Sequence, residues 1–106
     1  MEQEFKNARI IKKANIYFDG KVTSRTLYTA EGQRYTLGIM LAGEYEFGTG
    51  AEEIMEMLGG SMEVMLPGET KYTEYPAGTS YHVPANSSYK MIVKEYVDYC
   101  CTYVEK

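Results

Sequence analysis

Turn signals that recur every 8 to 10 residues divide the middle of the chain. The apolar runs between them suit strands of about five or six residues and are too short for helices of ordinary length. This spacing predicts a compact antiparallel β unit, either a sandwich or a barrel. The signals are Gly48-Thr49-Gly50, Gly59-Gly60, Pro67-Gly68, Pro76-Ala77-Gly78 and Pro84-Ala85-Asn86.

Composition narrows the class of protein. The chain has 106 residues, 44% of them apolar and 25% charged, which suits one globular domain with its own core. The net charge of -4 argues against a nonspecific nucleic-acid binder, which needs a basic surface. No apolar run approaches the ~20 residues of a membrane span, and the N-terminus lacks the apolar segment of a signal peptide. We therefore expect a cytoplasmic protein that binds neither nucleic acid nor membrane.

Cys100 and Cys101 are adjacent in an apolar run that resembles a strand. Neighbouring strand residues point to opposite faces of a sheet, so a disulfide between these two would be strained. A catalytic thiol needs a base close by, and His82, the single histidine, is the only candidate. We expect one or two buried thiols, and a histidine on the surface or at the rim of the barrel.

The same signals predict the order of the elements. Residues 1–14 are expected to form an N-terminal extension that packs on the outside of the barrel or on a partner subunit, and residues 15–106 the single domain. An Asp-Gly turn at residues 19–20 joins two strands. The most apolar strand covers residues 35–41, and Gly38 inside it indicates a bulge or a close approach of another backbone.

Residues 53–58 admit two interpretations. As a short helix they would place Ile54, Met57 and Leu58 on one face and end at Gly59. As a strand they would turn at Gly59-Gly60 and pair with residues 61–66, which alternate as strands do. We favour the strand. The chain then holds about ten short strands, which predicts a small jelly-roll barrel, a fold that often holds a small ligand in its mouth.

The sequence contains few recognisable motifs of catalytic or ligand-binding sites. It has no nucleophile elbow, phosphate loop, dinucleotide fingerprint or paired-cysteine zinc motif. The loop at residues 48–50 offers backbone amides and a hydroxyl to an anion, or is a plain hairpin loop. Glu52, Glu53 and Glu56 bring carboxylates to the start of one strand. A buried member would bind sugar hydroxyls or act as a general base, and a solvated one would do neither.

Two other features concern polar side chains. Lys21 and Arg25 are expected on one face of an early strand, where they form either a phosphate-binding patch or simply its solvated side. The chain also has 11 tyrosines and no tryptophan. Most of these tyrosines are expected at the ends or on the faces of the barrel, and some would line a polar cavity.

Five motifs in fixed order resemble the pyrimidine/purine nucleoside phosphorylase family, a family of small cupin-like bacterial proteins of about this length. The likeness covers residues 15 to 104. The motifs are Asn15-x-Tyr17-Phe18-x-Gly20-Lys21-Val22, Gly43-Glu44-Tyr45-x-Phe47-x-Thr49, Gly60-x-x-x-Val64-x-Leu66-Pro67, Ala77-Gly78-x-x-x-x-Val83-Pro84 and Tyr99-x-Cys101-x-Tyr103.

The resemblance implies an all-β fold, the cupin-like double-stranded β-helix. It implies phosphorolysis, in which purine or pyrimidine ribonucleosides and phosphate give free base and ribose 1-phosphate. It also implies an enzyme without metal or other cofactor. Tyr81 stands where metal-binding cupins place a histidine, their paired histidines are missing, and Glu53 alone makes a poor transition-metal site.

Candidate residues for this reaction divide by role. Glu53, on the ribose hydroxyls, and Tyr81, on the base, are the candidate catalytic residues. Some family members carry an arginine where this chain has Thr102; if that arginine binds phosphate in those relatives, Lys21, Arg25 or loop amides must take its place here. The substrate-binding candidates are Thr49, Asn86, Tyr89 and Tyr103, and the phosphate-binding candidates are Lys21 and Arg25.

Two other functional classes stay open at this point. One is a non-enzymatic cupin that binds a small metabolite, which would show saturable binding without turnover. The other is a metal-dependent cupin enzyme such as an isomerase or dioxygenase, against which the missing histidines argue. Edge strands and the N-terminal segment also predict a homodimer.

Overall fold

The computed structural model describes residues 3–105. Within this range eight strands join in one sheet, with the path β1-β3-β4-β8-β5-β6, while β2 also pairs with β3 and β7 with β5. The elements are β1 (Arg9–Ile10), β2 (Asn15–Tyr17), a 3-10 helix (Phe18–Gly20), β3 (Val22–Tyr28), β4 (Arg34–Gly48), β5 (Glu52–Met65), β6 (Thr73–Pro76), β7 (Ser80–Val83) and β8 (Ser88–Val104).

The sheet curls around a single core, and the predicted all-β barrel is confirmed. Alternate residues of β3, β4, β5, β7 and β8 point inward and meet in one apolar cluster. Methionines fill much of this interior, because their unbranched side chains adapt to irregular space. The methionines among the fully buried side chains are Met40, Met55, Met57 and Met91.

Three long strands replace the shorter strands that the turn signals predicted, so the expected number of about ten was too high. β4, β5 and β8 contain 15, 14 and 17 residues. β4 continues past a bulge between Leu41 and Gly43, and β8 is paired on both sides along most of its length. The barrel is therefore built on a continuous three-stranded frame, β4-β8-β5.

The hairpin predicted at Gly59-Gly60 is wrong, and so is the helical alternative. β5 runs straight through these glycines and keeps β8 as its partner, with Met57 opposite Tyr99 and Met62 opposite Val93. The glycines form bulges, after which even-numbered instead of odd-numbered residues of β5 face the core. Met57 and Met62 therefore both point inward. The two glycines thus correct the register instead of reversing the chain.

Two further sequence predictions are confirmed. A Cβ at Gly38 would meet the Thr23 carbonyl and would lie 2.7 Å from the Tyr99 ring, which is the close approach that was expected. Cys100 and Cys101 are free and buried. Burial is the main reason that the pKa of the Cys100 thiol rises to about 12.

Part of the N-terminal segment lies on the outside of the barrel. β1 adds to the sheet edge by pairing with β3, and the Phe5 ring packs at 4.5 Å between centroids on Tyr35. Met1 and Glu2 of the predicted extension lie outside the described residues. Among residues 3–105, no helix has the length and apolarity required to cross a membrane.

Candidate active site

The barrel interior is open at one end, next to the loop between β4 and β5. The space is a cavity of about 330 Å³ that Gly48, Gly50 and Ala51 help to line. This volume lies at the lower end of the ~300–1,000 Å³ range of small-molecule sites. Met40 and Met55 contribute apolar surface, and the other lining residues include tyrosines, a carboxylate and a guanidinium. The cavity is the candidate active site.

Glu53 brings the carboxylate into this cavity. It is the second residue of β5 and has the inward parity of Met55 and Met57, and its partner on β8 is Tyr103. Burial raises the pKa of the Glu53 carboxyl above its ordinary value of 4.5, and a hydrogen bond from Cys101 and the charge of Arg34 partly oppose this. The predicted site residue Glu53 therefore lies in the cavity as a partly desolvated carboxyl group.

Four tyrosines line the cavity together with Glu53. The predicted residues Tyr89 and Tyr103 line the cavity together with Tyr17 and Tyr99, which the sequence analysis did not single out. The Tyr103 hydroxyl lies 3.4 Å from Oγ1 of Thr36. Burial raises the pKa of both the Tyr99 and the Tyr103 phenol well above its ordinary value of 10.0. At neutral pH these side chains are uncharged hydrogen-bond donors beside an apolar surface.

Arg34 supplies the positive charge, and the sequence analysis missed it. Arg34 is the first residue of β4 and faces inward like Thr36, two residues later. The sequence alone does not show this, because it depends on the register of the strand. Its guanidinium carbon lies 4.0 Å from the centroid of the Tyr103 ring. Its Nε lies 3.4 Å from Oε1 of Glu105, an ion-pair distance without the alignment of a hydrogen bond.

Tyr81 is buried but is not among the residues that line the cavity. Its ring packs edge-on against Tyr89, with centroids 6.0 Å apart, and on the other side against Tyr75 at 4.8 Å. Burial raises the pKa of Tyr81 far above its ordinary value of 10.0, although its interaction with Tyr89 opposes this. The catalytic role of Tyr81 stays a prediction, and it would have to be exerted through Tyr89.

Thr49 and Asn86 join two loops at the cavity end of the barrel. The Thr49 hydroxyl donates to the Pro84 carbonyl at 2.7 Å and accepts from the Ser87 N–H at 3.1 Å. Asn86, which is exposed and has a φ of 55°, donates its backbone N–H to Gly50 at 3.3 Å. Neither side chain is among those that line the cavity. Their contacts hold the loop at residues 48–50 in place, and their substrate-binding roles stay predictions.

Lys21 and Arg25 do not lie on one strand, which corrects the sequence analysis. Lys21 belongs to the turn before β3, because the 3-10 helix at Phe18–Gly20 delays the start of the strand to Val22. Arg25 is exposed on β3, and its Nε donates to the Lys12 carbonyl at 3.1 Å. Neither residue lines the cavity, and their binding of phosphate stays a prediction.

Within residues 3–105 no group of three or more histidine, cysteine, aspartate or glutamate side chains is arranged to hold a metal ion. His82 is exposed on β7, as expected, and lies 3.6 Å from Glu52.

Relatives match nearly the whole length of the chain. A family model described as pyrimidine/purine nucleoside phosphorylase matches residues 12–103. A pyrimidine/purine nucleoside phosphorylase from Syntrophotalea carbinolica is 58% identical over 102 residues, which are 96% of this chain and 98% of the relative. These matches confirm the resemblance that the five motifs indicated.

Solved structures agree on the fold. A protein of unknown function from Acinetobacter sp. ADP1 has a TM-score of 0.92 at 34% identity, over 95% of this chain and 98% of its own. The Clostridium difficile EutQ protein has a TM-score of 0.65 at 17% identity, over 77% of this chain and 67% of its own, which bears on the fold alone. The fold is cupin-like, and the chain belongs to the pyrimidine/purine nucleoside phosphorylase family.

Proposed function

We propose that this protein is a nucleoside phosphorylase that converts purine and pyrimidine ribonucleosides and phosphate to free base and ribose 1-phosphate. The observation that carries the proposal is the cavity, where a carboxylate, neutral tyrosine hydroxyls and a guanidinium converge in a chain of this family. Each of these groups meets one chemical requirement of the reaction.

Phosphorolysis replaces one bond at the anomeric carbon of ribose. A phosphate oxygen bonds to C1′ while the N-glycosidic bond breaks, and its electron pair leaves with the base, which takes up a proton. The ribose ring gains oxocarbenium character on the way, as in glycoside hydrolysis. The site must therefore orient ribose, stabilise positive charge on the ring, and hold phosphate against C1′.

Glu53 is suited to the ribose. Its carboxylate accepts hydrogen bonds from ribose hydroxyls and places a negative charge near the ring as positive charge develops. Tyr89 offers an aromatic face to the base, while Tyr103 offers a neutral hydroxyl. Stacking tolerates many bases because every base has a π-face, which supports broad specificity.

A panel of substrates tests the proposal. Purified protein is incubated with phosphate and uridine, adenosine, inosine or guanosine, in chelator, and free base is measured by chromatography. The proposal predicts base from purine and pyrimidine nucleosides alike. Saturable nucleoside binding without release of base would mean a non-enzymatic binding protein instead, and activity that chelator removes would mean a metal enzyme.

We also propose that the protein is a homodimer. Five exposed apolar side chains lie on the outer face of β2, β4 and β8, and we call them the outer patch: Ile16, Leu37, Ile39, Leu41 and Tyr96. Arg25 flanks Leu37 on one side, and Glu56 lies beyond Cys100 on the other. A two-fold axis through the patch would bring Arg25 of each copy to Glu56 of the other.

Replacing Ile39 by glutamate tests this dimer. A carboxylate in the centre of the outer patch, beside Asp98, would be desolvated without a partner, so the protein is expected to become monomeric. Light scattering after size exclusion measures the mass. Tyr72→Glu, an exposed aromatic residue in the loop between β5 and β6, is the control and should leave the mass unchanged. A monomeric wild type, or a dimeric Ile39→Glu variant, would contradict the proposed interface.

A cytosolic location is part of the same proposal. Both cysteines are free thiols, as is usual for proteins of the reducing cytosol. The proposed substrates, nucleosides and phosphate, are small and need neither nucleic acid nor membrane as a partner.

A further inference from the structure

Arg34 is the only basic side chain among the described residues that line the cavity. Its charge acts on the Glu53 carboxylate, so the two groups belong to one electrostatic environment. The guanidinium lies over the Tyr103 ring and Glu53 is paired with Tyr103, so an anion bound to Arg34 would share this end of the cavity with a ribose bound to Glu53. None of the predicted phosphate-binding residues lies in this position.

The neighbours of Arg34 hold it in place. The guanidinium lies over the Tyr103 ring at 4.0 Å, which fixes its plane. The side chain of Gln33 ties the preceding residue to β8, because its Nε2 donates to the Tyr103 carbonyl at 2.6 Å. A guanidinium held in this way loses little entropy when it binds a ligand.

Arg34 has unused capacity for hydrogen bonds. A guanidinium carries five N–H donors, and the buried Nε of Arg34 has no hydrogen-bond partner among residues 3–105. The ion pair with Glu105 is long, at 3.4 Å from Nε and 3.5 Å from Nη2. The Glu105 side chain is 57% exposed, and ion pairs of this kind contribute little. The Glu105 carboxylate therefore binds the Arg34 guanidinium only weakly.

We propose that Arg34 binds the phosphate that attacks C1′, and that Glu105 occupies the guanidinium until phosphate replaces it. This inference rests on the proposed function. Phosphate suits the site better than a carboxylate does, because it carries more negative charge and, like a carboxylate, accepts two parallel N–H···O bonds from a guanidinium. The exchange costs little, since Glu105 returns to water when it leaves. Arg34 is thus a substrate-binding residue, and Glu105 a competing ligand from the same chain.

Steady-state kinetics with inosine, in which phosphate is varied, tests the assignment. Arg34→Gln is expected to raise the KM for phosphate by about 10- to 100-fold, the loss of one or two hydrogen bonds to a charged group. The KM of Arg34→Lys for phosphate should lie between those of the wild type and Arg34→Gln, because lysine keeps the charge but lacks the planar pair of N–H donors. Glu105→Gln should lower the KM for phosphate, since the competitor is gone. Circular dichroism checks that each variant folds.

Matched controls and a second measurement keep the outcomes separate. Lys71→Gln removes the same charge at an exposed residue of the loop between β5 and β6, and it should leave the KM for phosphate within about twofold. Lys21→Gln and Arg25→Gln test the two phosphate-binding residues predicted from the sequence, in competition with Arg34. Calorimetry with inorganic phosphate alone measures binding without turnover, and the wild type should bind more tightly than Arg34→Gln.

Four results would each overturn one part of the proposal. If Arg34→Gln keeps the phosphate KM and affinity of the wild type, the assignment of Arg34 is wrong while the proposed function stands. If Lys21→Gln or Arg25→Gln raises the KM instead, the phosphate lies outside the cavity. An unchanged KM in Glu105→Gln refutes the exchange. If no variant, the wild type included, releases base, the proposed function fails, and calorimetry still decides whether Arg34 binds phosphate.

Discussion

Replacing Glu53 by glutamine is expected to lower kcat/KM for phosphorolysis by about 10²- to 10³-fold, the usual cost of losing one preorganised electrostatic group. Glutamine keeps the size and one acceptor oxygen but loses the negative charge that faces the ribose. The effect should therefore fall mainly on kcat. Initial rates of base release from inosine measure it. Glu56→Gln, on the outward face of the same strand, is the matched control and should leave the rate unchanged.

The pH dependence of the wild type distinguishes a charge effect from a packing effect. Burial raises the pKa of Glu53 above 4.5, so the active carboxylate is lost as pH falls through this raised pKa. The acid limb of kcat/KM should lie above pH 4.5 and should vanish in Glu53→Gln. The folded state binds this proton more tightly than the unfolded state, so ionisation destabilises the fold as pH rises through the same window. Glu53→Gln should then be at least as stable as the wild type at pH 7, and full activity in this variant would refute the assignment.

Gly60→Ala is expected to lower the free energy of unfolding by about 3 kcal/mol. Gly60 has a φ of 73°, which costs another residue about 1–2 kcal/mol, and its Cβ would meet the Tyr96 carbonyl on β8. Relief of that contact requires a shift of the strand pair, at a further cost of about 1–3 kcal/mol. Urea unfolding measures the change.

Gly68→Ala is the control for backbone conformation alone. Gly68 has a φ of 83°, but a Cβ there would meet nothing within 4 Å, so the loss should be about 1–2 kcal/mol. Equal losses in the two variants would mean that the approach of β5 to β8 at the bulge does not contribute, and that the strand pair adapts at no cost.

The spacing of turn signals was enough to predict the fold class, because breakers at short intervals leave room for strands only. The most apolar strand, predicted at residues 35–41, lies within β4. Gly59-Gly60 misled the prediction, since glycine is common both in hairpins and in bulges. Only the pairing with β8, which is distant in sequence, decides between the two.

The candidate site was predictable to a smaller extent. Glu53, Tyr89 and Tyr103 were named from family resemblance, and all three line the cavity. Arg34 was missed because it belongs to no sequence motif, and only the register of β4 places it over Tyr103. The glycine neighbours of Thr49 made its loop a candidate anion site, whereas the Thr49 hydroxyl already forms hydrogen bonds within the protein. Local sequence patterns do not reveal which hydroxyl groups already form hydrogen bonds within the protein.

Phosphate dependence tests the central claim most directly. Purified protein is incubated with inosine in chelator, with and without orthophosphate, while ³¹P NMR follows ribose 1-phosphate and absorbance follows the base. The account predicts equal amounts of hypoxanthine and ribose 1-phosphate with phosphate, and neither product without it. Base released without phosphate would mean a hydrolase, and no release under either condition would contradict the claim that this cavity is the site of a phosphorylase.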